Sequence, residues 1–188
     1  MGPGLLFVIG ASGAGKTAAL RVLEARRLAG VRCYYFDSVG VPAAEVMERE
    51  FGGGENWQSV ATARWVERLA ANPDRADVAV LEGQTRPSFI RPALERAGAR
   101  HAGIVLLDCS AEVRAARLHG PRGQPELATA RMDAWAAYLR GQADRSDSPW
   151  WTRPGCPSVP SPMLFRHRQT WCGERAKPRV LAAGRQEV

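Results

Sequence analysis

Lysine is almost absent from this chain of 188 residues. Of its 26 basic residues, only Lys16 and Lys177 are lysines, and the others are arginines. The net charge is +7, but residues 1–140 account for only +3 of it and residues 141–188 for +4. A nucleic-acid-binding domain normally carries a dense basic stripe on one face. The charge distribution therefore argues against a nucleic-acid partner.

Long apolar runs and paired cysteines are missing too. The longest uncharged apolar stretch covers residues 5–9, whereas a helix needs roughly 20 residues to cross a bilayer. No basic segment precedes this stretch, which is unlike a secretory signal. The four cysteines form no CxxC pair and have no histidine at metal-ligand spacing. We therefore expect a cytoplasmic protein without a membrane span.

Residues 1–143 alternate between two kinds of segment. Apolar or β-branched stretches predict strands, and amphipathic stretches predict helices. The strands are expected at 5–9, 31–36, 78–81 and 104–107, and the helices at 17–28, 42–52, 56–71, 87–97, 110–118 and 126–143. Such alternation is typical of an α/β domain with a parallel sheet.

Residues 144–188 do not continue this alternation. They contain six of the thirteen prolines, three of the six tryptophans and two of the four cysteines. We interpret them as an irregular tail. Our hypothesis for its origin is a shifted reading frame. Because tryptophan has a single codon, another frame through Trp150, Trp151 and Thr152 must encode Val and Asp. The alternative reading Pro-Val-Val-Asp-Thr-Ser-Gly-Leu-Ser would supply a fifth strand and a helix cap.

The strongest motif follows the first predicted strand. It matches the pattern G-x-x-x-x-G-K-[ST] of a phosphate-binding loop, or P-loop, and comprises Gly10, Ala11, Ser12, Gly13, Ala14, Gly15, Lys16 and Thr17. Glycines let the backbone turn its N–H groups toward an anion, and the following helix adds its positive end. Lys16 is expected to reach the β- and γ-phosphates of a nucleotide, and Thr17 to bind Mg²⁺.

Acidic residues follow three of the predicted strands. Asp37 follows the second strand, and Glu82 follows the third strand in the Walker B position. Ligands of open α/β sheets bind beyond the carboxyl ends of the strands, so both carboxylates are expected near the P-loop, with Glu82 as the metal ligand. A loop or helix-capping role is the alternative for each. Asp108 follows the fourth strand, where we expect it to shape the turn.

On these motifs, residues 4 to about 143 resemble the P-loop small-molecule and nucleotide kinases, such as the adenylate, shikimate and gluconate kinases and the chloramphenicol phosphotransferases. The resemblance implies a three-layer fold with a mainly parallel sheet in the order 2-3-1-4(-5), with the fifth strand missing or distorted here. It also implies transfer of the γ-phosphate of Mg·ATP to a hydroxyl or phosphate of a small molecule.

The resemblance also implies roles for individual residues. Glu82-Gly-Gln-Thr-Arg86 resembles the D-G-x-P-R stretch of adenylate kinases, which makes Gln84 and Arg86 candidate substrate contacts. Asp37 resembles the aspartate that contacts the acceptor hydroxyl and serves as a base. The arginines in and before the loop at 119–125 resemble an arginine-bearing lid that closes on the nucleotide, and they are Arg114, Arg117 and Arg122. Solvated surface positions are the alternative for these arginines.

Several differences between this sequence and these kinases narrow the class of acceptor that we expect. The loop lacks the proline common in adenylate kinases, the second strand ends in Phe-Asp-Ser, and the lid is short. A hydroxyl-bearing metabolite or drug is therefore favoured over a nucleoside monophosphate as acceptor. Two alternatives remain: a nucleotide-hydrolysing switch or regulatory binding protein, and an inactive kinase with a damaged C-terminus. The chain contains no N/T-K-x-D motif of the kind that reads guanine, which argues against a GTP switch.

Overall fold

The computed structural model describes residues 2–120 and 122–144, together with the backbone of 151–152. The chain divides into two compact units, residues 1–153 and 154–188. The first unit contains every described residue. The predicted tail at 144–188, with the frame-shift hypothesis attached to it, lies outside the described residues except for Asp144 and the backbone of 151–152.

A parallel sheet of five strands forms the middle of the first unit, in the order β2-β3-β1-β4-β5. Its strands are β1 (Gly4–Ile9), β2 (Val31–Tyr35), β3 (Val78–Gly83), β4 (Ala102–Leu106) and β5 (Trp151–Thr152). The predicted order 2-3-1-4 is confirmed. The fifth strand was expected to be missing or distorted; the structure describes it at Trp151 and Thr152, which pair with Ile104 and Val105.

In the part of the chain that the structure describes, six helices connect and cover these strands. They are α1 (Lys16–Ala25), α2 (Ala44–Phe51), α3 (Gly54–Ala71), α4 (Pro87–Arg96), α5 (Ala111–His119) and α6 (Ala130–Asp144). The predicted cap of α5 is confirmed, because the Ser110 hydroxyl accepts a hydrogen bond from the Val113 amide. None of the described helices combines the length and apolar character needed to cross a membrane.

Two predicted helix boundaries were wrong by three or four residues. Helix α1 ends three residues early because Arg27 adopts a left-handed backbone conformation, with φ of 48°. Helix α6 starts at Ala130 and not at residue 126, since Pro125–Leu127 form a separate 3-10 turn. The Thr129 hydroxyl accepts a hydrogen bond from the Met132 amide at 3.2 Å and marks the true start of α6.

The alternating side chains of β1 divide the core into two layers. Leu5, Phe7 and Ile9 point into the larger cluster, which also contains buried residues of α3, α4 and α6. Val8 points to the other face and packs against Leu20 of α1. Side chains alternate across a strand with a period of two, so a central strand that is apolar at successive positions is covered on both faces. The sheet is thus the middle of three layers, as predicted.

Candidate functional site

The loop between β1 and α1 packs tightly against the segment that follows β4. A Cβ atom added at Gly10 would lie 2.3 Å from the Leu107 carbonyl oxygen, and one at Gly13 would lie 3.0 Å from the Arg114 carbonyl oxygen. Gly13 also has a φ of 80°, which favours glycine. The loop therefore requires glycine at both positions, and it leads directly into the positive N-terminal end of α1.

Lys16 is the first residue of α1, and it is almost completely buried. Its Nζ atom donates a hydrogen bond to the Ala11 carbonyl oxygen at 3.1 Å. Burial lowers the pKa of Lys16 to about 8; the negative charges of Glu82 and Asp37 oppose this shift, and the positive charge of Arg122 adds to it. The charges of three residues from other segments, Glu82, Asp37 and Arg122, thus influence the Lys16 ammonium group.

The Thr17 hydroxyl and the Glu82 carboxylate meet beside Lys16. Thr17 Oγ1 donates a hydrogen bond to Glu82 Oε1 at 3.0 Å. Within the described ranges, no group of three or more His, Cys, Asp or Glu side chains is arranged to hold a metal. Mg²⁺ in phosphate-transfer sites, however, takes one or two protein oxygens and obtains its other ligands from phosphates and water. The oxygen pair of Thr17 and Glu82 fits that donor set.

Asp37 is the second residue after the end of β2, in a 3-10 turn over Phe36–Val39. Its side chain is exposed, but the neighbouring residue Phe36 anchors this turn to β3 and α3. The Phe36 ring is buried so closely against Gly83 that a Cβ atom there would lie 2.4 Å from Phe36 Cβ. The Trp65 indole N–H donates to the Phe36 carbonyl oxygen at 3.1 Å. Asp37 is therefore held in place at the carboxyl edge of the sheet.

Gln84 joins the P-loop to the segment after β3. The Ser12 hydroxyl donates a hydrogen bond to Gln84 Oε1 at 3.1 Å, and Gln84 Nε2 contacts the Met132 sulfur of α6 at 3.9 Å. We use the term strand-end crevice for the region beyond β2 and β3 that is bordered by Asp37, Glu82, Gln84 and Arg86. Of this set, Gln84 contacts the P-loop through Ser12, and Glu82 contacts it through Thr17.

Arg86 forms the far border of the strand-end crevice, where aromatic rings surround it. Its guanidinium carbon lies 5.2 Å from the ring centroids of Phe89 and Trp135 and 5.8 Å from that of Tyr138. Its Nη1 atom forms an ion pair with Glu55 of α3. Cation–π contacts hold a guanidinium in a defined plane. The sequence suggested Arg86 as a substrate contact but did not reveal this aromatic setting or the Glu55 partner.

Arg117 lies against the P-loop, and Arg122 lies beside Arg117. Arg117 Nη1 donates to the carbonyl oxygens of Gly13 at 3.1 Å and Ala14 at 3.2 Å. The Arg122 amide donates to the Arg117 carbonyl oxygen at 3.1 Å, and its side chain bonds to Gln124. Both arginines therefore lie within reach of the loop, and the charge of Arg122 is felt at Lys16.

Arg114 has a different position from the other two arginines. Only 2% of its surface is exposed, so it does not face the strand-end crevice. Its Nη1 atom donates to the Cys109 carbonyl oxygen at 2.8 Å, and Nη2 pairs with Asp133 of α6. The structure thus places Arg114 behind the P-loop, where its backbone contacts Gly13, and not among the expected nucleotide contacts.

Asp108 also does more than shape a turn. It accepts a hydrogen bond from Arg140 of α6 at 3.1 Å, and its other oxygen lies 3.9 Å from Arg114 Nη1. Asp108 and Arg114 together tie the segment after β4 to α5 and α6. The backbone on which the P-loop packs is therefore braced by charged side chains.

Loss of the Arg114 guanidinium should destabilise the fold. We expect Arg114→Met to lower the free energy of unfolding by about 2 kcal/mol, because a buried hydrogen bond from a charged donor typically contributes about 1.5–3 kcal/mol. The larger penalty of an unpaired buried charge does not arise, since Asp133 is half exposed and stays solvated. Urea denaturation measures the effect, with the exposed Arg131→Met on α6 as control. Equal stability of the two variants would contradict this assignment.

Comparisons with known proteins show the same fold. No family model and no curated protein sequence matches the chain. Among solved structures, it is similar to a gluconokinase from Sinorhizobium meliloti 1021, with 20% identity over 80% of this chain and 81% of the other and a TM-score of 0.52. A sugar kinase from Janibacter sp. HTCC2649 matches with 19% identity over 73% and 77% and a TM-score of 0.53. The chain thus has the P-loop kinase fold.

Proposed function

We propose that this protein is an ATP-dependent phosphotransferase that moves the γ-phosphate of Mg·ATP to a hydroxyl group of a small molecule in the cytoplasm. The observation that carries the proposal is the geometry at the start of α1, where Lys16 is buried against the P-loop and Thr17 donates a hydrogen bond to Glu82. The fold shared with proteins named as a gluconokinase and a sugar kinase supports it.

The nucleotide half of the proposal rests on the P-loop. The backbone from Gly10 to Thr17 would enclose the phosphates, and Lys16 would reach the β- and γ-phosphates from the start of α1. Thr17 and Glu82 would hold Mg²⁺, which when bound neutralises charge that develops on the phosphates. Arg117 already lies against the loop and would add positive charge near the γ-phosphate.

The acceptor half rests on Asp37, Gln84 and Arg86. Asp37 would orient the acceptor hydroxyl and take its proton, since its carboxylate lies within electrostatic range of Lys16 at the edge of the sheet. Arg86 and Gln84 border the crevice in which the acceptor would lie. Phosphoryl transfer depends mainly on positioning and charge neutralisation, and this arrangement can supply both.

Calorimetric titration with Mg·ATP tests the nucleotide half, and the lowered pKa of Lys16 gives it a specific signature. At pH 8.5 to 9 the free protein holds Lys16 mostly neutral, because its pKa is about 8. Bound phosphates favour the charged ammonium and raise this pKa. We therefore expect binding to take up close to one proton in this pH range and almost none at pH 6.5, as measured in buffers of different ionisation enthalpy.

The alternatives give different results in the same experiment. Binding without proton uptake at pH 8.5 would contradict the placement of Lys16 on the phosphates. ATP hydrolysis that no hydroxyl compound stimulates would favour a nucleotide-hydrolysing switch. Absence of any Mg·ATP binding would leave the P-loop kinase fold without the proposed activity.

A further inference from the structure

Three buried polar atoms around the strand-end crevice lack a hydrogen-bond partner among the described residues. They are Gln58 Oε1, Arg86 Nη1 and Trp135 Nε1, and they come from α3, the start of α4 and α6. Most buried polar side-chain atoms in native proteins have a partner. One of these atoms is a hydrogen-bond acceptor and two are donors. A ligand that pairs with all three must therefore both donate and accept hydrogen bonds.

The orientation of the Gln58 side chain is fixed by its surroundings. Its Nε2 atom donates to the Gln84 carbonyl oxygen at 2.6 Å, and a carbonyl oxygen can only accept. The amide oxygen must therefore be the free end. The Thr62 hydroxyl donates a hydrogen bond to the backbone carbonyl oxygen of Gln58 at 2.7 Å. It also shares a hydrogen bond with the Thr85 hydroxyl at 2.6 Å.

The three atoms border one region of the fold. Glu55 and Gln58 are three residues apart on α3 and share a helix face; Glu55 pairs with Arg86, and Gln58 bonds to Gln84, two residues before Arg86. Arg86 in turn stacks on Trp135 of α6. The contact of Arg86 Nη1 with Glu55 is an ion pair without an aligned hydrogen bond, so this N–H group can still bond to a ligand.

The chemistry of these atoms selects the class of acceptor. A hydroxyl group both donates and accepts, so it can bond to Gln58 Oε1 and also to the N–H groups of Arg86 and Trp135. A carboxylate or phosphate can only accept, and it would place negative charge against the Gln58 oxygen. The charge of Arg86 is already balanced by Glu55, and the aromatic rings around it suit the apolar face of a carbon skeleton.

Building on the proposed phosphotransferase function, we infer that Gln58 is a specificity-determining residue that accepts a hydrogen bond from a second hydroxyl of the acceptor. The acceptor is then an uncharged compound with several hydroxyl groups. A sugar acid or a phosphorylated sugar does not match this arrangement.

A screen of acceptor-stimulated ADP formation tests the acceptor class on the full chain. The panel pairs neutral compounds with charged relatives, including glucose, myo-inositol, gluconate and glucose 6-phosphate. We expect stimulation by neutral polyols and little by their acids or phosphates. Stimulation by the charged members alone would overturn this inference and leave the kinase function intact. Stimulation by none, with Mg·ATP bound, would overturn the kinase function itself.

The role of Gln58 is tested with Gln58→Met, which keeps the length of the side chain and removes the amide. For the best neutral acceptor we expect KM to rise about tenfold, since a lost hydrogen bond is worth about one power of ten, with kcat little changed. The matched control is Glu67→Met on the exposed part of α3, which should leave both constants unchanged. Unaltered Mg·ATP affinity of each variant reports an intact fold.

Deoxy analogues of the acceptor give a second, independent measurement. In the unaltered protein, removal of the hydroxyl that faces Gln58 should raise KM about tenfold, and in Gln58→Met the same removal should have almost no effect. A purely structural role of Gln58 would leave the preference for the hydroxyl unchanged in the variant. That result would overturn the specificity role.

Discussion

Replacement of Lys16 with alanine is expected to reduce phosphotransfer at least 100-fold. Lys16 is the only residue of the P-loop motif with a positively charged side chain. Its ammonium group is buried and donates a hydrogen bond to the Ala11 carbonyl oxygen. A positioned charge in a site shielded from water stabilises the transferring phosphoryl group far more than a charge in solvent. Initial rates of ADP formation with a saturating acceptor measure the loss.

The Lys16→Ala variant should remain folded, which separates chemistry from stability. A buried ammonium costs free energy through desolvation, so the free energy of unfolding should be unchanged or higher in the variant. The matched control is Arg21→Ala on the exposed face of α1, which should keep full activity. Transfer by Lys16→Ala within tenfold of the unaltered protein would show that the phosphates bind elsewhere.

The P-loop and its partners could be predicted because a short local stretch of sequence determines which residue types they need. Glycine is required at positions 10 and 13 because the backbone there lies close to Leu107 and Arg114. The spacing of the glycines and Lys16 therefore identifies the loop from the sequence. Glu82 could be placed because parallel strands end at a common edge. Its 3.0 Å contact with Thr17 agrees with this expectation.

The acceptor side could be predicted only in part, because its residues depend on contacts between distant segments. Gln58 lies beside the apolar stripe of α3, and nothing in the local pattern shows that its amide reaches Gln84, 26 residues away. The contact of Trp135 with Arg86 likewise joins two distant segments of the chain, and no local pattern indicates it. Arg114 was grouped with the lid arginines since sequence proximity does not show which side chain turns inward.

The edge of the sheet raises a separate question. Within the described residues, β5 comprises Trp151 and Thr152, which pair with Ile104 and Val105 of β4. Under the frame-shift hypothesis, the alternative reading frame would provide an apolar strand at this place. The hypothesis concerns the gene and stays a prediction, which resequencing of the region decides.

Replacement of Asp37 with asparagine is expected to lower kcat at least 100-fold with little change in Mg·ATP affinity. The asparagine side chain keeps the size and the 3-10 turn but cannot take a proton, and general-base catalysis typically contributes 10²–10⁴-fold. Rates of acceptor phosphorylation measure the effect. The matched control is Asp77→Asn, an exposed aspartate just before β3 at the opposite edge of the sheet, which should behave like the unaltered protein.

Comparison with Asp37→Ala separates the two roles that a carboxylate can play here. An asparagine amide oxygen can still accept a hydrogen bond and orient the acceptor hydroxyl, whereas alanine can do neither. If Asp37 acts as a base, both variants should be impaired to a similar degree. If it only orients the hydroxyl, the asparagine variant should retain most of its activity and the alanine variant should not. Near-normal transfer by both would remove Asp37 from the reaction, and the phosphotransfer would then rest on the P-loop, Glu82 and the lid arginines alone.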